Sequence, residues 1–537
     1  MPEYLSPGVY IQEMPSATKP IEGVGTAMAA FVGFAADGPA NRPQLITNWS
    51  QYVNMFGSLE DGGQRNPYVP GAYLAHAVYG YFLNGGGRCY VTRVMGAAAN
   101  QEKPEPLQLP SRSSKAVPSL IIHRKENTDQ AIQVDILPPS KTAPPPAEGD
   151  GQPADQTSQP AQAKQSGQES FNLRVRMGNA PEELYENLSL GKQGRSSIET
   201  MTQTSQLVRV VEARSTGTAV ERAPELGSYI IKAPPMTTLP QVQSSHFSGN
   251  VADRSGLEGL EVAEDVTMVC CPDLMAAYQA GAIDKDGVKS VQLAMIAHCE
   301  RMGDRVAILD PLPDLSPQDV KRWRQQETNY DSKYAVLYYP WIKVAGNGHP
   351  LTIPPSGHIA GIYARNDNER GVHKAPANEV IRGGLEAVMQ VTKGEQDTLN
   401  PVGINCIRSF TGRGLRVWGA RTLSSEGDWR YVNVRRLFNY IEKSIELGTQ
   451  WVVFEPNDPD LWARVKRDVG AFLTGAWRQG MLFGRAPEEA FFVKCDEENN
   501  PQDVRDRGQL FIDIGLAPVK PAEFVVFRLS QWAGGGA

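Results

Sequence analysis

Apolar positions change their period along this chain, and the changes divide it into regions. From Thr26 to Val94, buried-strand runs alternate with helical spacings. Ala27 to Phe34 predicts a strand, Trp49 to Phe56 a short helix, Gly71 to Leu83 a helix stopped at Asn84-Gly85-Gly86-Gly87, and Cys89 to Val94 a strand. The alternation resumes with a strand at Val266 to Cys271, a helix over Val288 to Cys299 and a strand at Arg305 to Leu309. Ser316 opens a helix with Pro317 in its first turn, and Tyr334 to Tyr339 is the next strand. Such alternation predicts an α/β layer with parallel pairing, formed as one discontinuous domain by residues 21–95 plus 251–380.

Residues 96–250 read differently. Ser119 to Ile122, Ala131 to Ile136, Phe171 to Arg176 and Leu207 to Val211 predict strands, hence a β-rich inserted domain. Within it, about 138–169, Pro, Gln, Ser and Ala dominate and large apolar residues are nearly missing. That stretch cannot offset its ordering entropy, so a mobile loop is expected.

Residues 381–519 predict a C-terminal α+β domain. Val434, Leu437, Ile441 and Ile445 mark an amphipathic helix ended by Gly448. The block from Trp451 to Asp496 then parses as strand, capped helix, turn, strand. Trp451 to Phe454 is an apolar run. Asp458 suits an N-cap, with Pro459 and Asp460 in the first turn. Leu461, Val465, Val469, Phe472 and Ala476 recur at helical spacing, Gly480 suits the stop, and Ala490 to Val493 begins a strand. Strands at Leu415 to Trp418 and Gln509 to Ile514 would complete a sheet. Arg464, Arg467 and Arg478 lie opposite the apolar stripe of the helix.

Both ends carry strand-like runs. Val9, Tyr10 and Ile11 sit between Pro7 and Pro15 in residues 1–20, and Phe524, Val525, Val526 and Phe527 follow Pro521 in residues 520–537. They are either edge strands of the chain's own sheets or arms that add to sheets of neighbouring subunits.

Composition narrows function by exclusion. At 537 residues, two to four domains are expected, and 41% hydrophobic content is ordinary for a globular protein. A net charge of −7 leaves no general basic footprint for nucleic acid. Six cysteines without a CxxC pair fit a reducing compartment. No signal-peptide pattern or membrane-length apolar run occurs, so a soluble chain made in the cytoplasm is expected. Phosphate-loop, dinucleotide and nucleophile-elbow motifs are missing from the sequence. His298 beside Cys299 and Glu300 reads as the end of a packed helix rather than a metal site. No catalytic residue, metal or cofactor is therefore assigned. The run Arg408, Arg413, Arg416, Arg421, Arg435, Arg436 lacks interleaved stacking aromatics and reads as salt-bridge partners, within or between subunits.

The block from Trp451 to Asp496 resembles the C-terminal domain of contractile tail sheath proteins, from phages and phage-like injection particles. TGRGLRVWGARTLSSEGDWRYVNVRRLFNYIEKSI, from Thr411 to Ile445, is similar to the part just upstream. PPSGHIAGIYARNDNERGVHKAPAN, from Pro354 to Asn378, resembles that family's interdomain linker. MPEYLSPGVYIQE resembles its N-terminal arm, and AFVGFAADGP with PQLITNWSQYVNMFG its first strand and helix. The resemblance implies a subunit that polymerises helically around an inner tube and contracts to drive it through a target envelope. It implies partners: further copies of itself, an inner tube protein, and baseplate and terminal cap proteins, with no direct nucleic acid and no membrane insertion. It implies neighbour-added strands at Val9 to Ile11 and Phe524 to Phe527, a tube-facing helix bearing Arg464, Arg467 and Arg478, and an outer position for the insertion. Assembly is expected in the cytoplasm, in a virion tail or an injection particle released outside the cell. A cytosolic α/β enzyme with an interdomain site, and a tail component that never contracts, are the alternatives.

Overall fold

In a computed structural model of the protein, residues 20–59, 64–96, 106–113, 117–125, 131–140, 170–177, 182–190, 197–213, 218–231, 239–346 and 349–528 are described. Val9, Tyr10 and Ile11, and the expected loop from residue 141 to 169, lie outside them.

The central sheet has eight strands: β1 Ala29–Gly33, β2 Gln44–Ile46, β3 Cys89–Arg93, β4 Met268–Cys270, β5 Val306–Leu309, β6 Ala335–Tyr339, β7 Ile404–Phe410 and β8 Gly414–Trp418. Their spatial order is β2-β3-β1-β4-β5-β6-β7-β8. Neighbours from β3 to β7 are parallel. β2 and β8 lie antiparallel at the two edges. Parallel strands covered on both faces read as unbroken apolar runs, and β1, β5 and β6 are buried at every position. The order explains the discontinuity: β1 pairs with β3 on one side and β4 on the other, so residues before and after the insertion share one sheet.

The layer's helices include α1 Trp49–Phe56, α2 Leu74–Leu83, α3 Lys285–Met302 and α4 Ser356–Arg370. Asn48 caps α1 by accepting from the Gln51 N–H at 2.8 Å, and Asp284 caps α3 through the Gly287 N–H at 2.8 Å. Ser316 caps Pro317–Arg322 through the Asp319 N–H at 3.2 Å. α2 and α4 cross closely because Gly357 lies against Ala77 and Gly361 against the Tyr81 carbonyl; a Cβ at either glycine would sit 2.4–2.5 Å from backbone.

Neither α2 nor α4 has a side-chain cap from its own N-terminal residue. Each borrows an aspartate from the end of a distant strand. Asp273, just past β4, accepts from the Phe34, Tyr73 and Leu74 N–H groups, at 2.5 Å for Phe34. Asp310, just past β5, accepts from the Ser356 N–H at 3.0 Å and hydroxyl at 2.6 Å. A carboxylate at a helix N-terminus meets orphan N–H donors and the positive dipole end. Burial nevertheless dominates, and pushes both carboxyls up to about 7 against these hydrogen bonds.

The insertion has its own core, with Leu120, Val134, Phe171, Val175 and Val208 in it. One antiparallel sheet orders Glu183–Ser189, Ser170–Met177, Ile132–Leu137 and Gly227–Ile231; another orders Val208–Glu212, Pro118–Arg124 and Leu107–Pro110. All four predicted insertion strands form.

Several expectations need correction. Leu415 to Trp418 forms a strand, but β8 pairs with β7 in the central sheet rather than in a C-terminal one. The segment likened to a linker is mostly α4, whose residues from Ser356 to Asn366 are buried in the central layer. Trp451 to Phe454 is not a strand: Gln450–Val452 is a short 3₁₀ turn, and Phe454 has a left-handed φ of 68°. Val453 and Phe454 are exposed, so that run lacks the burial that would hold an extended strand. The strand placed at Gln509 to Ile514 forms at Asp513–Leu516, because Gln509 donates to Val504 in a turn and Phe511 is held by Asn500. Phe524 to Phe527 is described without secondary structure, since among the described residues it has no partner strand.

The raised Asp310 pKa sets a direction for stability. A folded value near 7 against an unfolded value near ~3.9 gives a contribution fully present below ~3.9 and lost as pH rises through about 7. Asp310→Asn should flatten the decline in unfolding free energy between about pH 4 and 7 by up to ~1.4 kcal/mol per pH unit. Urea denaturation across that range measures it, and an unchanged slope would refute the assignment.

Candidate intersubunit surfaces

The C-terminal unit is built from α5 Val432–Gly448, α6 Pro459–Arg478, β9 Phe491–Lys494 and β10 Asp513–Leu516. Asp458 caps α6 by accepting from the Leu461 N–H at 2.8 Å, with Pro459 in the first turn. Leu461, Val465, Val469, Leu473 and Ala476 are buried, and Gly480 follows the helix at a φ of 76°. At 3.6 residues per turn, Arg464, Arg467 and Arg478 fall within about 60° of one another on the opposite face. Arg464 lies 3.3 Å from Glu455 and over the Trp451 ring, and Arg467 lies 3.1 Å from Asp468. Arg478 is exposed and makes no ion pair among the described residues.

β9 and β10 form a two-stranded antiparallel sheet with Phe491 opposite Leu516 and Lys494 opposite Asp513. Phe491, Val493, Ile514 and Leu516 turn inward against the core beside α6. Among the described residues no third strand pairs with either one. Phe483, Phe492 and Phe511 are exposed nearby in the chain, and Phe492 lies over Gly515.

The described residues nearest either end of the chain pack on this unit. At the N-terminal side, Ile21 is buried against Gly448, where a Cβ would meet it at 2.7 Å, and the Val24 N–H donates to Ser444 Oγ at 3.1 Å. At the C-terminal side, Ala517 and Val519 bond to Phe483, Ala490 and Met481 through the backbone. Glu523 then docks on Arg421, Asn400 and Tyr431. Burial pushes the Glu523 carboxyl up, but these hydrogen bonds and the Arg421 charge hold it below its ordinary value. Immediately beyond, Phe524, Val525, Val526 and Phe527 are 69–83% exposed.

A buried ion pair joins the C-terminal unit to the central layer. Arg436 on α5 grips Asp367 on α4 with both carboxylate oxygens, at 2.6 and 2.9 Å, and donates to the Thr26 carbonyl at 2.9 Å. Its guanidinium lies over the Tyr363 ring, whose hydroxyl is 2.7 Å from that of Tyr338. Beside the pair is a cleft of about 540 Å³ between α5, the 24–28 segment and the start of β4. Lys443 faces Asp304 across it at 3.6 Å.

The arginine run thus resolves into contacts within the chain. Arg421 pairs with Glu523, Arg435 with Glu442 and Arg436 with Asp367, while Arg413 and Arg416 bond Asn378 and Arg408 bonds Gln396. His298 is buried; desolvation and then the charges of Arg305 and Arg301 push it down to about 3. Sequence reasoning missed Glu523, Phe454 and Phe483. A lone carboxylate abutting an apolar run was the available signal for Glu523; nothing in the pattern marked the other two as uncovered.

The C-terminal unit thus presents an exposed apolar run at Phe524–Phe527 and a sheet whose two described strands pair only with each other. The phage tail sheath protein central domain model matches residues 255–423, and the phage tail sheath C-terminal domain model matches 424–531. The chain belongs to the phage tail sheath protein family. Among curated relatives, the tail sheath protein of Vibrio phage KVP40 is 30% identical over 206 residues, 37% of this chain and 30% of the relative. A putative prophage major tail sheath protein of Pseudomonas aeruginosa (strain UCBPP-PA14) is 26% identical over 307 residues, 55% of this chain and 75% of the relative. The chain therefore matches less than a third of the first relative's length. In fold it is similar to the anti-feeding prophage helical sheath in the contracted state, with a TM-score of 0.56 at 24% identity over 98% of this chain and 99% of that one. It is also similar to the sheath of an extracellular contractile injection system, PVC, in the contracted state, at 0.54 and 23% over 99% of each chain. The boundary between the two family models falls between β8 and α5, where the central sheet ends.

Removing one member of a buried charge pair strands the other, which costs ~3–5 kcal/mol. Arg436→Met should therefore lower the unfolding free energy of the soluble subunit by about that much in a urea titration. Adding Asp367→Asn should restore part of it; a loss below ~1 kcal/mol for the single variant would rule out the pair's structural role.

Proposed function

We propose that this protein is the repeating subunit of a contractile sheath, in a phage tail or a phage-like injection particle. It polymerises helically around an inner tube and shortens to drive that tube through a target envelope. The observation that carries this reading is the run from Phe524 to Phe527: four consecutive apolar residues held out in water by a chain whose root is tied down. Contiguous exposed apolar surface of this kind marks an interaction site.

In this reading the run adds to the sheet of β9 and β10 in a neighbouring copy, and Val9, Tyr10 and Ile11 do the same from the other end. Strand addition uses backbone hydrogen bonds for affinity and alternate side chains for specificity. Each bond contributes only ~0.5–1.5 kcal/mol net, so one arm holds a junction by several kcal/mol together with its buried side chains. The junction is strong enough to persist while subunits rotate and other interfaces repack. Contraction then draws on the difference between two packings of one polymer, so no fuel is required during the stroke. The partners are other copies, an inner tube protein, and baseplate and cap proteins at the ends. The insertion, with its separate core, faces outward.

The arginine face of α6 is the second proposed contact, against an acidic outer surface of the inner tube. Arg464 and Arg467 each have a carboxylate neighbour in the chain, which leaves Arg478 as the member most available to a partner.

Two experiments test these surfaces. Deletion of residues 1–15 or of 520–537 should leave soluble subunits that form no sheath by negative-stain electron microscopy; long regular tubes from either truncation would overturn the arm assignment. Arg464→Glu with Arg467→Glu should abolish co-assembly with the tube protein while leaving the subunit folded by circular dichroism. Unimpaired sheath–tube particles would remove the proposed tube contact.

A further inference from the structure

The arm reading leaves open what fixes the point from which the C-terminal run departs. After Val519, whose N–H donates to Met481 O at 3.3 Å, the backbone from Lys520 to Arg528 makes no backbone–backbone hydrogen bond among the described residues. Lys520 makes an exposed contact with Asp428 at 3.6 Å, and one covered side chain, Glu523, holds the rest of the stretch. Glu523 Oε1 accepts from Arg421 Nε at 2.9 Å and Asn400 Nδ2 at 2.7 Å. Its Oε2 accepts from Arg421 Nη2 at 2.6 Å and the Tyr431 hydroxyl at 2.8 Å. A bidentate guanidinium with two further donors is a built carboxylate receptor.

The receptor is itself held in place. Asn405 accepts from the Arg421 N–H at 2.7 Å and donates to its carbonyl at 2.8 Å. Arg421 Nη1 also donates to the Asn400 carbonyl at 3.2 Å. Arg421 is buried, and Glu523 is mostly covered, in a segment whose next five residues are all exposed. Asn400 and Arg421 flank β7 and β8 of the central sheet, whereas Ala517 and Val519 are bonded into the C-terminal unit. The stretch from Val519 to Glu523 therefore straps the two together.

We propose that Glu523 is a latch: by docking in the Arg421–Asn400–Tyr431 receptor of its own chain, it fixes the root and direction of the C-terminal arm. The proposal rests on the arm reading above and deepens it. Opening the latch frees four residues, adding at most ~14 Å of slack. The run begins at the residue after Glu523, so opening the latch moves its root back to Val519 and places four residues between root and run. A link that short still keeps the run at high effective concentration near a neighbour, so the arm still finds its site. The slack instead changes what the joint transmits: with the latch closed, displacement of the central layer reaches the neighbour through a fixed root; with it open, the slack absorbs it.

The test uses the full-length subunit and Glu523→Ala, with Glu523→Asp as the conservative variant. Chymotrypsin cuts after Phe524, beside the latch, and after Phe527, beyond it, so the ratio of the two cleavages is an internal gauge. In the soluble protein the ratio of Phe524 to Phe527 cleavage should rise at least tenfold in Glu523→Ala and return towards wild type in Glu523→Asp. In electron micrographs Glu523→Ala should still form sheaths, but without sharp helical layer lines. An unchanged ratio, or sheaths as ordered as wild type, would overturn the latch. If Glu523→Ala does not fold, Asn400→Ala removes one donor and is read by the same ratio. A chain ending at Glu523 is the control: if it assembles ordered sheaths, the arm reading itself falls; if it does not assemble while Glu523→Ala behaves as wild type, only the latch falls.

Discussion

The buried pair between Arg436 and Asp367 is the constraint on which the architecture turns. It joins α5, α4 and the segment entering β1, three stretches that are far apart in sequence. Burial of two charges is unfavourable unless geometry is close to ideal, and here both carboxylate oxygens are used and the remaining face of the guanidinium lies on Tyr363. Such a contact has one good arrangement and no graded alternatives. The C-terminal unit and the central sheet are thereby tied at their seam.

A related economy is seen at the carboxyl ends of the central strands. In open parallel sheets, ligands bind outside the carboxyl ends of the strands, where helix N-termini point. Here the carboxyl ends of β4 and β5 carry Asp273 and Asp310, and each fills the N-terminus of a helix of the same chain. The donors that a substrate anion would use are taken by protein carboxylates. The fold keeps the scaffold of a binding protein while directing its polar groups to internal ties, including the run of arginines whose partners all lie within the chain.

How much of this was legible in the sequence follows from what each signal measures. Buried strands β1, β3, β5 and β6 and the cap of α6 were readable because burial on both faces and capping are local statements about residue type. The membership of β8 was not, since pairing is a tertiary fact and a strand's pattern does not name its neighbour. Trp451 to Phe454 misled because apolar residues were taken to be buried, while Val453 and Phe454 are uncovered. The same assumption hid Phe483 and Phe492. The segment from Ser356 to Arg370 was likened to a linker by resemblance, whereas its glycines serve close packing of a helix on α2. Of the surfaces, the arginine face and the strand run from Phe524 were visible as patterns, but the receptor for Glu523 gathers Asn400, Arg421 and Tyr431 from separate elements and left no contiguous trace.

What these exposed residues share is that each is an apolar side chain left in water. Buried charges find partners, the described cysteines are buried thiols, and both strand-bearing layers have their own cores. Phe524 to Phe527 are exposed without secondary structure, and among the described residues β9 and β10 pair only with each other. The root at Glu523 is held on the central layer, by the receptor beside β7 and β8. In the proposed arm reading a second copy satisfies run and sheet, and its own run is then left for a third. A heterologous contact of this kind does not close on itself unless its rotation makes a ring; it propagates as a helix. In that reading the polymer is implicit in a sheet that one subunit leaves for its neighbours to complete.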